Sequence, residues 1–381
     1  MKNDPKISFA PNGLSPGLYV HVPFCKTKCP YCDFYSIAGG DVAGWLDALS
    51  KEAALHRGLF GKCDTLYIGG GTPSLLGEGE VRELFELLTG SFDFSGEAEI
   101  TIEANPDDVT AARLAAWRDL GINRVSLGVQ SFDDAELRFM RRRHDAAQAR
   151  AAAALISEAG FASVGLDLIY GFEGQSAASW ERTMRSAVEL VPAHLSCYQM
   201  TIEPATEFGK MLQAGTLEIP DEESQRRFFL QTSQFLCEHG YVHYEISNFA
   251  RGEAHISRHN RKYWRHAPYL GLGPSAHSFD GRKRWWNVRS VEAYCRRLAG
   301  DESPIEDSET LSDDELAFET LCLGFRTRDG VPLETLGQYP GWQSALAALA
   351  GESLVTVKNG RAVPTLEGFC LADRLALAFA E

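Results

Sequence analysis

The stretch His21-Val-Pro-Phe-Cys25-Lys-Thr-Lys-Cys29-Pro-Tyr31-Cys32-Asp33 sets three thiols in one short loop, spaced C-x3-C-x2-C, with no fourth cysteine beside them. Three thiolates can hold three irons of a 4Fe-4S cluster and leave the fourth iron open to a small molecule, whereas a cluster held by four cysteines usually only passes electrons. The competing reading is a zinc knuckle completed by His21 or a distant ligand. Zinc sites commonly pair two close-spaced ligand couples, and no second couple follows downstream. The spacing therefore points to the cluster.

Outward from this loop the chain alternates strand-like and helix-like segments. Residues 18–22, 65–68, 99–103, 124–129, 164–169 and 194–200 are rich in Val, Ile, Leu and Tyr and are bounded by Gly, Pro or Asn, the signature of strands. Residues 43–56, 80–88, 110–120, 146–159 and 179–190 carry helical periodicity. Such alternation predicts an α/β fold with a parallel sheet and right-handed crossovers. The first five strands end in a polar or glycine-rich element: the cysteine loop, Gly69-Gly-Gly-Thr-Pro73, Glu103-Ala-Asn105-Pro106, Gly128-Val-Gln130-Ser-Phe132 and Asp167-Leu-Ile-Tyr-Gly171. A barrel gathers such strand ends around one mouth, while an open doubly wound sheet places them mainly at its switch point. A barrel of six units, incomplete against the usual eight, is expected.

The texture changes near residue 220. A helix is expected over 221–238 and a strand over 241–246. A histidine- and aromatic-rich segment runs from His255 to Trp286, and an acidic linker covers 300–308. Helices over 313–323 and 342–350, a hairpin over 354–364 turning at Asn359-Gly360, and a last helix over 366–380 predict a winged-helix-like C-terminal domain. The expected division is residues 1–219 for the barrel, 220–300 for its extension and 301–381 for the C-terminal domain.

The chain has 381 residues, 44% of them hydrophobic, and a net charge of −15. That charge disfavours nucleic acid and anionic membranes. No apolar run is long enough to span a bilayer, and residues 1–6 lack the apolar stretch of a signal peptide, so a cytoplasmic protein is expected. Cysteines 63, 197, 237, 295, 322 and 370 are scattered, and are expected as buried, reduced core residues.

Glu103, Gln130, Asp167 and one of Arg141, Arg142 and Arg143 suit a ligand that carries an amino group, a carboxylate and a ribose. Carboxylates accept from ammonium or hydroxyl groups, and arginine grips a carboxylate with two bonds. Any one of them could equally be a solvated residue or a helix cap, and the three adjacent arginines are equivalent by position. The glycines of 69–73 suit a tight turn as well as close approach by a ligand.

The cysteine loop and the Gly69–Pro73 run together resemble a radical S-adenosylmethionine (SAM) protein. Tyr19-Val-His-Val-Pro-Phe24, Ile102-Glu-Ala-Asn-Pro106, Gly128–Phe132 and Asp167–Gly171 are similar to the branch that contains oxygen-independent coproporphyrinogen dehydrogenase. The resemblance covers nearly the whole chain. It implies a partial (β/α)6 barrel with a helical C-terminal domain, a 4Fe-4S cluster on Cys25, Cys29 and Cys32, and SAM on the open iron. Gly70, Gly71, Thr72, Glu103, Gln130, Arg142 and Asp167 would help to hold SAM, with Tyr19 and Tyr31 nearby. Arg142 is preferred because it stands twelve residues after Gln130, as in the family.

Two features narrow the branch. The coproporphyrinogen enzymes carry a further cysteine two positions after the third ligand, where this chain has Phe34. The string His259-Asn260-Arg-Lys-Tyr263-Trp264 resembles the haem-binding motif of HemW-type haem chaperones. Histidine and tyrosine are both axial ligands of haem iron, and flat aromatic faces suit a porphyrin. Without the family, these would be ordinary core aromatics and a satisfied histidine. His255, His266 and His277 compete as ligands. The resemblance thus implies a chaperone that binds haem and delivers it to haem-accepting proteins, respiratory ones among the candidates, with no residue assigned as catalytic. The rivals are oxidative decarboxylation of coproporphyrinogen III and a DNA-binding iron–sulfur regulator.

Overall fold

The computed structural model describes residues 14–380; the stretch over 1–6 read for a leader lies outside them. Six strands run parallel and in sequence order: β1 (Gly17–Val22), β2 (Cys63–Gly70), β3 (Phe94–Ala104), β4 (Arg124–Gln130), β5 (Ser163–Tyr170) and β6 (His194–Gln199). Helices α1 (Val42–Leu55), α2 (Glu78–Ser91), α3 (Ala111–Asp119), α4 (Ala146–Glu158) and α5 (Ala177–Glu189) occupy the crossovers.

Strand register sorts the side chains onto two faces. Val20, Ile68, Ile102, Leu127, Leu166 and Leu195 are all fully buried in the main core under the helices. The alternate positions, Tyr19, Tyr67, Glu103, Ser126, Asp167 and Ser196, line the inner face. A parallel sheet buried on both faces normally reads as continuous apolar strands. The polar inner face here marks a lumen built for a ligand.

The sheet extends beyond six units and stays open. After α6 (Glu222–Glu238), β7 (Val242–Glu245) and β8 (Asn248–Ala250) add antiparallel strands beside β6. Following α7 (Arg258–Trp264), β9 (Tyr269–Leu272) pairs with β1 in parallel, a seventh parallel strand. Then β10 (His277–Phe279), β11 (Lys283–Asn287) and, after α8 (Val291–Ala299), β12 (Ile305–Thr310) continue antiparallel on that side. The twelve-stranded sheet ends in β7 and β12 without closing. The acidic stretch expected as a linker is therefore in part an edge strand. Within it Glu306 pairs with Arg297 at 3.2 Å, and Glu309 just beyond it lies opposite Arg284, so the charges find partners and shield the edge.

Glu52 ties this extension to the barrel. It is fully buried on α1. It accepts from the Gly273 N–H at 2.8 Å, from Asn287 Nδ2 at 2.5 Å and from the Tyr294 hydroxyl. Burial pushes its carboxyl up to about 7, with the three donors pulling the other way. Truncation would strand three buried donors, so Glu52→Ala is expected to cost ~2–4 kcal/mol. Denaturant unfolding checks this, and a loss below about 1 kcal/mol would contradict it.

The C-terminal unit has its own core, formed by α9 (Asp313–Gly324), α10 (Trp342–Gly351) and a small sheet of β13 (Val331–Pro332), β14 (Val355–Lys358) and β15 (Arg361–Pro364). Asn359 and Gly360 both take positive φ, 51° and 71°, as the two-residue hairpin demands. The continuous last helix expected over 366–380 is broken into Leu366–Cys370, Ala372–Leu375 and a 3-10 turn at Ala376–Phe379. The break lets Leu375, Ala376 and Phe379 enter the small core while Phe369 meets His243 on the barrel side. The cysteine expectation is corrected as well. Cys63 and Cys197 are buried, Cys295, Cys322 and Cys370 are half-buried, and Cys237 is exposed, because it stands at the end of α6 on the outer side. No helix among the described residues is long and apolar enough to cross a membrane.

Candidate cofactor site and family

The C-terminal ends of the parallel strands open into a cavity of about 570 Å³. Cys25, Cys29 and Cys32 line it, with Tyr31, Gly70, Gly71, Thr72, Glu103, Gln130, Arg142 and Asp167. The cysteine loop is pinned from outside: Lys26 Nζ reaches Asp108 at 2.6 Å, and Arg289 donates to the Asp33 carbonyl at 2.6 Å. Thr72 Oγ1 stands 3.4 Å from Cys25 Sγ. Phe34 lines the mouth and is 70% exposed.

The three glycines answer to packing. A Cβ on Gly71 would sit 2.6 Å from the Phe24 carbonyl oxygen, and one on Gly70 2.6 Å from the His21 ring; Gly70 also takes φ +107°. The backbone N–H groups of Gly71 and Thr72 go to the Val22 and Phe24 carbonyls at 2.7 and 2.8 Å. The run thus presses β2 against the entry of the cysteine loop and brings Thr72 to Cys25.

The structure separates the three arginines that sequence position leaves equivalent. All three line the cavity, but Arg141 takes φ 50° and is paired with Glu207 through two bonds of 2.7 Å. Arg143 pairs with Asp107 at 2.5 Å and Asp108 at 3.3 Å. Arg142 enters the cavity: it donates to Asn105 Oδ1 at 2.6 Å and the Gly128 carbonyl at 2.8 Å, and stands 3.4 Å from Cys29 Sγ. Its buried Nε has no partner among the described residues. Gln130 adopts φ 70° at an irregularity of register in β4, a strained backbone of the kind that gathers at functional sites.

Two carboxyls line the same cavity. Glu103 accepts from the Tyr67 hydroxyl at 2.7 Å and the Gly70 N–H at 3.1 Å, and burial pushes it up to about 7. Asp167 accepts from Ser126 at 3.0 Å on both oxygens, and burial raises it too. Three cysteine thiols, a guanidinium with an unused donor and two buried carboxyls fit a multi-iron cluster and a zwitterionic, ribose-bearing ligand. Sequence reasoning missed Asn105, Tyr67 and Ser126. The period of two along β2, β3 and β4 would have placed Tyr67 and Ser126 on the face of Glu103.

The His259–Trp264 string lies at the opposite end of the barrel. It forms α7, whose N-terminus is capped by Ser257, and it closes the N-terminal ends of the strands. His259 is 1% exposed. Its Nδ1 bonds Thr65 Oγ1 at 2.8 Å, its Nε2 bonds the Tyr263 hydroxyl at 2.9 Å, and its ring stacks on Tyr67 at 5.1 Å. Tyr19 lies 6.5 Å away. Asn260 donates its N–H to Ser257 at 3.2 Å. His259 and Tyr263 thus face inward, one turn apart, with both imidazole nitrogens engaged. Trp264 faces the other way, toward the C-terminal unit.

Residues 19–187 match the radical SAM superfamily. Haem chaperone HemW of Mycobacterium tuberculosis H37Rv is 36% identical over 379 residues, covering 95% of each chain. The chain belongs to the HemW family of the radical SAM superfamily. HemW of Escherichia coli K12 is 40% identical over 335 residues, 85% of this chain and 86% of that one. Among solved structures, this HemW-family chain is similar to the coproporphyrinogen III oxidase HemN of Escherichia coli, a radical SAM enzyme, with TM-score 0.82 and 26% identity over 96% of this chain and 90% of that one. The likeness in fold agrees with a partial barrel.

Proposed function

We propose that this protein is a haem chaperone on a radical SAM scaffold. The carrying observation is its likeness to HemW proteins named haem chaperones, over 95% of both chains in one case. In this reading residues 1–219 hold a 4Fe-4S cluster on Cys25, Cys29 and Cys32, and SAM against Gly70, Gly71, Thr72, Glu103, Gln130, Arg142 and Asp167. A cluster bound there supplies an open iron for SAM to chelate. Arg142 brings positive charge to Cys29 and to a ligand carboxylate, while Glu103 and Asp167 accept from ammonium or hydroxyl groups. Residues 220–300 carry the haem-binding string on α7, with His259, Asn260, Tyr263 and Trp264 as its contacts, and residues 301–381 close over it. The protein is then cytoplasmic, and its partners are haem and haem-accepting proteins.

Haemin added to the anaerobically reconstituted protein should give a saturable Soret shift, and the loaded protein should pass haem to an apo-haem protein. A featureless titration would remove this reading. The likeness in fold to HemN favours a second one, oxidative decarboxylation of coproporphyrinogen. Phe34, at the cavity mouth in place of a cysteine, speaks against it. Protoporphyrinogen formed from coproporphyrinogen, SAM and reductant would reverse the order of the two.

A further inference from the structure

Tyr67 lines the cofactor cavity from β2, beside the Glu103 carboxyl on β3. Its hydroxyl donates to Glu103 Oε1 at 2.7 Å, while the Gly70 N–H donates to Oε2 at 3.1 Å. With one donor on each oxygen, the plane of the carboxyl is set and its remaining lone pairs point in fixed directions. A single donor would leave the group free to turn about its last torsion, which is soft in glutamate. Burial, and then the Glu103 charge, raise the Tyr67 phenol well above its ordinary value, so the tyrosine stays protonated and remains a donor.

The tyrosine is itself held. Its ring stacks on His259 at 5.1 Å and lies 6.2 Å from Tyr19, and His259 is fixed in turn by Thr65 and Tyr263. Gly69, two residues on along the same face of β2, makes room for the bond. A Cβ there would sit 2.8 Å from Tyr67 Cε1 and 3.0 Å from Glu103 Cδ. Gly69 has no positive φ, so its missing side chain serves the approach of these two groups and not a backbone conformation. The bond also bears on charge. Burial pushes Glu103 up to about 7, Tyr67 pulls the other way, the Asp167 charge adds to burial and the Gly70 N–H opposes it. Tyr19, Tyr198 and Tyr263 lie within the field of the same carboxyl. The Tyr67 hydroxyl is thus the strongest pull toward the ionised form.

We propose that Tyr67 is a positioning residue for the SAM site: its hydroxyl fixes the Glu103 carboxylate as an acceptor aimed at the ligand's ammonium or hydroxyl groups. The proposal rests on the reading of this cavity as a SAM site. It gives Tyr67 no contact with reacting atoms; the tyrosine acts through Glu103.

Calorimetric titration of SAM into the full-length, cluster-loaded protein tests it over about pH 5.5–7.5, below the range where an α-amino group loses its proton. Wild-type affinity should rise with pH as Glu103 ionises, with a midpoint at about 7. Tyr67→Phe keeps the ring and removes the donor. Losing a hydrogen bond to a charged group should weaken SAM roughly tenfold to a hundredfold at neutral pH and move the midpoint upward. Gly69→Ala, which forces the two partners apart, should do the same with Tyr67 intact. Glu103→Gln should weaken SAM as well and flatten the pH profile, because an amide does not titrate. Tyr241→Phe removes a hydroxyl bonded to the Pro192 carbonyl at 2.8 Å, away from the cavity, and controls for loss of a buried phenol. Wild-type affinity and midpoint in both Tyr67→Phe and Gly69→Ala would overturn the positioning role and leave the SAM site standing. A weakened Tyr67→Phe whose midpoint stays in place would overturn it too, since a merely structural role lowers affinity without moving the titration. Should Tyr67→Phe fail to fold, Gly69→Ala decides alone. A wild type that binds no SAM would instead remove the reading of the cavity itself.

Discussion

Cys29→Ala, and equally Cys25→Ala or Cys32→Ala, is expected to abolish the 4Fe-4S cluster while leaving the chain folded. The three thiols have no fourth neighbour to take over an iron, so each contributes a whole ligand. They are half-buried at the rim, and the loop keeps its other anchors: the pairing of Phe24–Cys25 with Ile37–Ala38 and the Lys26–Asp108 ion pair. With the cluster gone, SAM would retain only its contacts with the strand ends. Its affinity should fall about a hundredfold, the size of effect that follows loss of a metal ligand or its close support. Iron and sulfide content, the broad visible absorbance and a calorimetric SAM titration read this together. Full iron in Cys29→Ala would refute the assignment. Cys197→Ala serves as contrast. It lies in the apolar core and should keep its iron while losing roughly 1–3 kcal/mol of stability through the cavity left behind.

His259→Phe is expected to change the pH dependence of stability. In the folded protein, burial pulls the His259 imidazole down to about 3, with Lys262 beside it acting in the same direction. An exposed imidazole in the unfolded chain titrates near 6.5. The depressed folded value means that the unfolded state binds more protons between these limits. The stabilising contribution is therefore complete above pH 6.5 and is lost as pH falls toward 3. A phenylalanine cannot titrate, so the variant lacks this slope. At pH 7 it should be less stable than the wild type, since Thr65 and Tyr263 lose their shared partner. Between pH 6.5 and 4 the gap should close by ~3 kcal/mol. Parallel urea curves for the two proteins over that range would refute the buried neutral state. His194 and His243 are lowered by burial as well, so the wild type itself should soften in acid. Glu52, Glu103 and Glu245, each raised to about 7, act in the opposite sense over pH 4.5–7.

Much of the barrel was legible because its signals are local. A strand, a turn and the cysteine spacing each lie within about ten residues, and their order along the chain predicts parallel pairing. The seventh parallel strand was not legible. Tyr269–Leu272 joins β1 across some 250 residues of sequence, and four residues of mixed apolar character carry no mark of the edge they will join. The acidic segment was misread for a related reason: a charged edge strand and a charged linker have the same composition until Asp307 and Ser308 are placed opposite Trp286 and Trp285.

The site divides in the same way. By itself the sequence determined the superfamily, the three cluster thiols and the set of polar strand ends, because those residue types and spacings answer to the chemistry of one loop and one mouth. Only the tertiary structure chose Arg142 over its neighbours. That choice depends on Glu207, Asp107 and Asp108 pairing with the other two, which leaves Arg142 as the one beside Cys29. It also turned His259 inward against Thr65, 194 residues distant, and Trp264 toward the C-terminal unit. A helix presents every residue of a seven-residue string to one side or another. Which side meets the barrel floor and which meets the C-terminal unit is set by the partners packed against it, and local sequence does not record them.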